Sequence, residues 1–225
     1  MSRLSHLVDD KQTENDSSRH KNSTNICRIY ENTGACPNDY FPKCCPFKHP
    51  IKIMSRCLVF HHLYPNPDYF ASFLPKNEQT LLKTRNQQSI IDSFFLDVYA
   101  EFKQFGNVQD IVIASNLTEH LYGNVYVRFN EPDEALACHK GLQGRFYAGR
   151  KVTSSLVFFD KLSSLICVFK QSGKCFHGQC CPYVHPLQIS RDVFNQAFPR
   201  ILLSTPSVLI TNTPDDYVSD PNMIV

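Results

Sequence analysis

One heptapeptide occurs twice in this chain. Cys44-Cys45-Pro46-Phe47-Lys48-His49-Pro50 returns as Cys180-Cys181-Pro182-Tyr183-Val184-His185-Pro186, and about the length of a small domain lies between the copies. A repeat of this kind marks two copies of one structural unit. Each copy closes a cysteine-rich segment too short to build a hydrophobic core, so something other than apolar burial must hold it together.

The spacing supplies that something. In the first unit Cys27 is followed by eight residues and Cys36, eight more and Cys45, then three more and His49; in the second, Cys167, Cys175, Cys181 and His185 are separated by seven, five and three. Three thiolates and an imidazole suit tetrahedral zinc, and units this small draw much of their folding free energy from the ion. Cys44 or Cys180 could stand in for its neighbour, but the three-residue gap to His favours Cys45 and Cys181. Cys57 and Cys138 read as small packed hydrophobes. Four protein ligands leave no position for water, and no H-x-E or HExxH pattern accompanies them, so two structural Zn2+ ions are expected and no enzyme. No nucleophile–base pair or Gly-rich phosphate loop appears elsewhere.

Composition agrees with this reading. The 225 residues carry ten Cys, and the opening MSRLSHLVDDKQTEND turns polar where a secretory signal needs its apolar stretch, which points to metal binding in a reducing compartment rather than disulfides. No run of eighteen apolar residues suggests a membrane span. A net charge of +2 is too small to argue for nucleic acid, so that argument must be local. Beside the ligands lie Arg28, Tyr30, Phe47 and Lys48, then Phe169, Lys170, Lys174 and Tyr183. Rings for stacking and cations for phosphates are what single-stranded RNA requires. About half of the rings are expected only to cover the metal.

Between the units, Ser89 to Phe105 reads as an amphipathic helix stopped by Gly106, Val108 to Ala114 and Tyr122 to Phe129 as strands, and Glu131 to Leu142 as a helix with Pro132 in its first turn. A last strand is expected within Val152 to Phe159, and Thr80 to Thr84 is the candidate for the first. Strand, helix, two strands, helix, strand is the order of an RNA-recognition motif, an α+β fold. Period two directs Val125, Val127 and Phe129 to the helices and Asn124, Tyr126 and Arg128 outward. Tyr126 alone gives the sheet little stacking capacity, which favours a protein partner for this domain. The expected divisions are a disordered arm (1–25), a Cys-Cys-Cys-His finger (26–52), the RNA-recognition-like domain with a preceding linker (53–160), a second finger (161–188), and a helix from Ile189 to Leu203 leading into a loose tail (189–225).

Finger, degenerate recognition motif, finger, together with Asn116-Leu117, His120-Leu121, Gly123-Asn124-Val125-Tyr126-Val127 and Gly144-Arg145-Phe146-Tyr147, resembles the small subunit of the U2 auxiliary factor, a pre-mRNA splicing factor, and its U2AF-related paralogue, over Cys27 to Pro186. The resemblance implies a nuclear protein whose fingers read the AG of the 3′ splice site. It also implies that the middle domain, a U2AF-homology motif, grips a Trp-containing peptide of the large subunit. Arg145, Phe146 and Tyr147 would form the gripping loop, with Tyr147 where the family usually has Phe, and Asp97 and Glu101 the acidic helix. The first finger departs from the family, with eight residues rather than the usual five between its second and third Cys. The alternatives are a Cys-Cys-Cys-His protein binding other single-stranded RNA, as in mRNA turnover, and a zinc-stabilised protein-interaction scaffold. The whole domain between the fingers weighs against the first, and the absence of paired Cys-x-x-Cys ligands against the second.

Overall fold

A four-residue apolar run, Cys-Leu-Val-Phe, sits at the centre of the molecule. The computed structural model of the chain describes residues 25–39, 45–50, 53–79 and 87–199. In chain order, α1 (Arg28–Thr33) belongs to the first cysteine-rich unit, and β1 (Cys57–Phe60) opens the middle domain. Two short helices follow, α2 (Pro67–Ala71) and α3 (Lys76–Gln79), then α4 (Gln87–Lys103), β2 (Val108–Ile113), β3 (Val125–Phe129) and α5 (Pro132–Leu142). A hairpin of β4 (Phe146–Tyr147) and β5 (Arg150–Lys151) leads to β6 (Ser154–Val157). The second unit carries α6 (Val168–Gln171), and α7 (Arg191–Ala197) closes the described chain.

The main sheet is antiparallel with order β2-β3-β1-β6, so β1 pairs with both β3 and β6. This corrects one expectation: the first strand is Cys57–Phe60, in the stretch read as linker, whereas Thr80 to Thr84 lies outside the described residues. All four β1 side chains are buried because both faces of the sheet are covered. Fully burying such side chains contributes roughly 1.5–3 kcal/mol each. On one face Phe60 stacks on Phe102 of α4 at 4.9 Å, beside the buried Phe95, Val98, Ala135 and Cys138. Val125, Val127 and Phe129 are fully buried, as their period requires. At the start of α5 the Glu134 carboxylate accepts from the Glu131 amide at 3.0 Å and the Asn107 amide at 3.0 Å, tying the helix to the turn after α4.

The opposite face was expected to be exposed, and there the structure differs. Asn124 and Tyr126 are both fully buried, and Arg128 is half-buried. The first cysteine-rich unit lies over this face: the Tyr126 hydroxyl donates to the Thr33 carbonyl at 2.7 Å, at the end of α1. Gly34 follows with φ +67°, and a Cβ there would run into the Val157 side chain of β6. Only glycine provides both that backbone region and that close approach. The turn Leu162–Leu165 completes the cover, with both leucines fully buried against β2, β3 and α1.

After the second unit, α7 packs on α4. Phe198 meets Tyr99 at 5.2 Å, and Asp92 accepts from the Ser190 amide at 3.0 Å. The helix spans Arg191–Ala197 rather than Ile189 to Leu203; residues 200–203 lie outside the described chain. In the β4–β5 hairpin both central residues have positive φ, Ala148 at 47° and Gly149 at 76°. Such a turn prefers Asn-Gly, because an L-residue with a plain Cβ is disfavoured there by about 1–2 kcal/mol. Ala148→Asn should therefore stabilise the chain by about 0.5–1 kcal/mol, read as a higher denaturant midpoint at unchanged slope.

Candidate metal centres and interaction surfaces

Each cysteine-rich unit is built the same way. A short parallel bridge brings the first ligand beside the last: Ile26 pairs with Lys48, and Ile166 with Val184. The Cys27 amide donates to the Lys48 carbonyl at 3.1 Å, and the Cys167 amide to the Val184 carbonyl at 2.9 Å. A helix begins directly after the first Cys, and in α1 the Cys27 sulfur also accepts from the Tyr30 amide at 3.5 Å. These features bring together Cys27, Cys36, Cys45 and His49, and separately Cys167, Cys175, Cys181 and His185, with the ligand atoms of each set within 4.8 Å of one another. Cys180 is exposed and outside the second set, whereas Cys44 lies outside the described residues.

The donors fit zinc on geometry and on charge. Tetrahedral zinc with Zn–S bonds near 2.3 Å places two sulfurs about 3.8 Å apart. Cys27 and Cys36 sulfurs are 3.7 Å apart and Cys167 and Cys175 sulfurs 3.8 Å, far longer than a disulfide. His185 Nε2 is buried with no hydrogen-bond partner, as a ligand nitrogen would be. Burial pushes the Cys36 and Cys181 thiols up to about 12, so they become thiolates only where a cation takes up the charge. Desolvation acts upward on Cys45 and Cys175 too, yet the amides of Phe47 and His177 hold both below the usual thiol range. Burial, and then Lys170, lowers His185 and keeps its imidazole neutral, the form a metal needs.

Around the ligands the residue classes separate. The Tyr30 ring stacks on His49 at 4.2 Å with a 4° tilt, so it covers a ligand. Phe47, Phe169 and Tyr183 instead remain 50%, 62% and 43% exposed, and Arg28, Lys48, Lys170 and Lys174 are exposed with them. More of the rings face solvent than expected. Phe176, 96% exposed between Lys174 and His177, was not anticipated, because nothing in its local sequence separates it from a ring that covers the metal. The two units adjoin one another: α1 packs on Leu162–Leu165, which runs directly into Cys167.

A second feature lies on the far side of the domain. A cavity of about 140 Å³ is lined by Leu63, Val98, Phe102, Leu142 and Val152 below and by Asp97, Glu101, Arg145, Phe146 and Tyr147 at its rim. Arg145 donates to Glu101 at 2.7 Å, and the Tyr147 hydroxyl donates to Asp97 at 2.7 Å. Burial, then Asp97, raises the Tyr147 phenol to about 12. The Arg150 guanidinium fixes the hairpin by donating to the His62 and Leu63 carbonyls at 2.9 and 2.8 Å. Phe146 is left 72% exposed beside the cavity. All five residues expected to bind a partner thus surround one apolar cavity.

The fold and its sites define a class: a recognition-motif sheet carrying two Cys-Cys-Cys-His clusters. Residues 96–153 match the family model of the RNA recognition motif, which leaves β1 outside the match. Over 174 residues the chain is 31% identical to a splicing factor U2af small subunit of Arabidopsis thaliana, covering 77% of this chain and 60% of the relative. It is 26% identical to the Splicing factor U2AF 23 kDa subunit of Schizosaccharomyces pombe, over 87% of this chain and 85% of that one. It is 29% identical to the U2 small nuclear ribonucleoprotein auxiliary factor 35 kDa subunit-related protein 2-like of Mus musculus, over 80% and 42%. The chain is thus similar to U2AF small subunits over most of its length. It spans 60%, 57% and 54% of the length of three plant relatives that it matches.

Proposed function

We propose that this protein is a nuclear, non-enzymatic RNA-binding subunit of a pre-mRNA splicing factor. Its paired zinc fingers contact single-stranded RNA at the AG of the 3′ splice site, and its middle domain holds a Trp-bearing peptide of the large subunit. The fingers occupy 26–52 and 161–188, the recognition-motif domain 53–160, and the helix and tail 189–225. The observation that carries the reading is the burial of Tyr126 beneath the first finger. A recognition-motif sheet normally stacks bases on that face. Here RNA contact falls to the rings and cations around the ligands.

Zinc bound at both sites supplies structural cross-links with no open coordination position. Arg28, Lys48, Lys170 and Lys174 then serve phosphates, Phe47, Phe169 and Tyr183 offer stacking faces, and Tyr30 shields His49. On the other side the cavity floor accepts an indole, while Arg145 supplies a cation over it and Phe146 and Tyr147 supply rings. Asp97 and Glu101 hold the Arg145 and Tyr147 side chains in place and add negative charge for a basic peptide.

The test separates the two surfaces. The full chain should bind an AG-containing RNA more tightly than its AG→CG control. Arg145→Ala should weaken a Trp-bearing peptide by more than about 1 kcal/mol while leaving RNA affinity nearly unchanged. The fold itself should lose little, since an exposed ion pair such as Arg145–Glu101 is worth about 0–1 kcal/mol. Unchanged peptide binding together with weakened RNA binding would reverse the division of labour.

A further inference from the structure

Between β2 and β3, one fully buried side chain reaches out of the recognition-motif domain into the second finger. The Asn116 Nδ2 group donates to the Cys181 carbonyl at 3.0 Å and to the Tyr183 carbonyl at 2.9 Å. Its Oδ1 accepts from the His185 amide at 2.8 Å. A carboxamide is the side chain that offers two donors and an acceptor on one small planar group, and here each is used on the loop that joins two metal ligands. The neighbouring backbone acts alongside it. The Ser115 amide donates to the His185 carbonyl at 2.7 Å, Ala114 bridges to Pro186, and the Leu187 amide donates to the Ile113 carbonyl at 2.7 Å. The chain carrying His185 therefore continues the sheet beyond β2, and Asn116 fills the gap between that edge and the turn from Cys181.

We infer that Asn116 is a positioning residue for the second metal centre, fixing the Cys181–His185 loop so that sulfur and imidazole already point at one place; this rests on the zinc reading given above. Asn116 is fully buried and Cys181 and His185 are each 1% exposed, so water does not stand in for its bonds to those two ligands, although the Tyr183 ring itself reaches solvent. Partners outside the ligand set that orient ligands typically govern metal affinity by about 10- to 100-fold. Asn116→Asp retains the acceptor and the shape but loses both donors. Asn116→Ala loses all three bonds and leaves two carbonyls and an amide unsatisfied.

The experiment loads the full-length chain with zinc and follows release to a chromogenic chelator. Wild type should give up two ions slowly. In Asn116→Asp one of the two should leave about 10- to 100-fold faster and the other at the wild-type rate. With cobalt substituted for zinc, the visible bands of one centre should shift and those of the other should not, a signature that general destabilisation would not produce. Wild-type release of both ions from Asn116→Asp, with an unshifted cobalt spectrum, would overturn the inference and leave the zinc reading standing. Loss of both ions together with the thermal transition would overturn it as well, since Asn116 would then serve the whole fold. A wild-type chain holding a single ion, in the first centre, would sink the zinc reading and the inference with it.

Discussion

Cys45→Ser and Cys181→Ser should each reduce the zinc content of the purified chain from two ions to one, measured by elemental analysis. Cys44→Ser and Cys180→Ser should leave both ions in place. Structural zinc in units of this size carries an apparent binding free energy of roughly 10–16 kcal/mol, more than most domains hold in total stability. The two losses should nonetheless differ in reach. The first finger covers Tyr126, Val59 and Val157, so its collapse exposes the middle of that face of the sheet. The ligand loops of the second finger hang from the end of β2, and their loss leaves α1 of the first finger over that face. Cys45→Ser should therefore lower the thermal midpoint more than Cys181→Ser, and hydrogen exchange in β1 and β3 should rise only in the former. Acidification should release both ions as thiolates and imidazoles take up protons.

The other large effect concerns RNA. Disrupting either finger should abolish most specific binding to an AG-containing RNA rather than halve it, because a dinucleotide offers too few contacts for one finger. α1 rests on Leu162–Leu165, a few residues before Cys167, so the two fingers adjoin without a free linker. Surface substitutions test this without unfolding either unit. Phe47→Ala on one side and Phe169→Ala or Tyr183→Ala on the other should each cost about 1–3 kcal/mol, the worth of a base stacked on a ring. Each should also reduce discrimination between AG and CG targets in a fluorescence titration. A single-finger variant that keeps normal affinity and discrimination would mean two independent sites.

The metal sets were legible in the sequence because a tetrahedral ion imposes short, local spacings, and the three-residue gap to His favoured Cys45 and Cys181 over their neighbours. Helix α4 and strands β2 and β3 were legible for the same reason: periods of 3.6 and 2 register in a single segment. Strand β1 was not. Cys57-Leu58-Val59-Phe60 has no alternation because both of its faces are buried, and residues 61–86 separate it from the helix it should directly precede. The covered sheet was hidden for a related reason. Period two says that Tyr126 leaves the helix side; only the packing of a distant unit decides whether it then meets water or Thr33. Asn116 was visible as part of a family match, but its three bonds to residues more than sixty positions away follow from the fold alone.

The contact of Gly34 with Val157 constrains the order in which the chain assembles as it is synthesised. Residues of the first finger leave the ribosome early and can gather their ligands at once, since all four lie between Cys27 and His49. Strand β1 follows, but both its partners come later, β3 at Val125–Phe129 and β6 at Ser154–Val157. Until β3 emerges, β1 has no strand to pair with, and the surface on which the finger docks is complete only once β6 has followed. Such long-range closure is slow and leaves strand edges open to wrong pairings. A first finger that loads its metal early would stand as a compact neighbour just upstream of β1 during that interval.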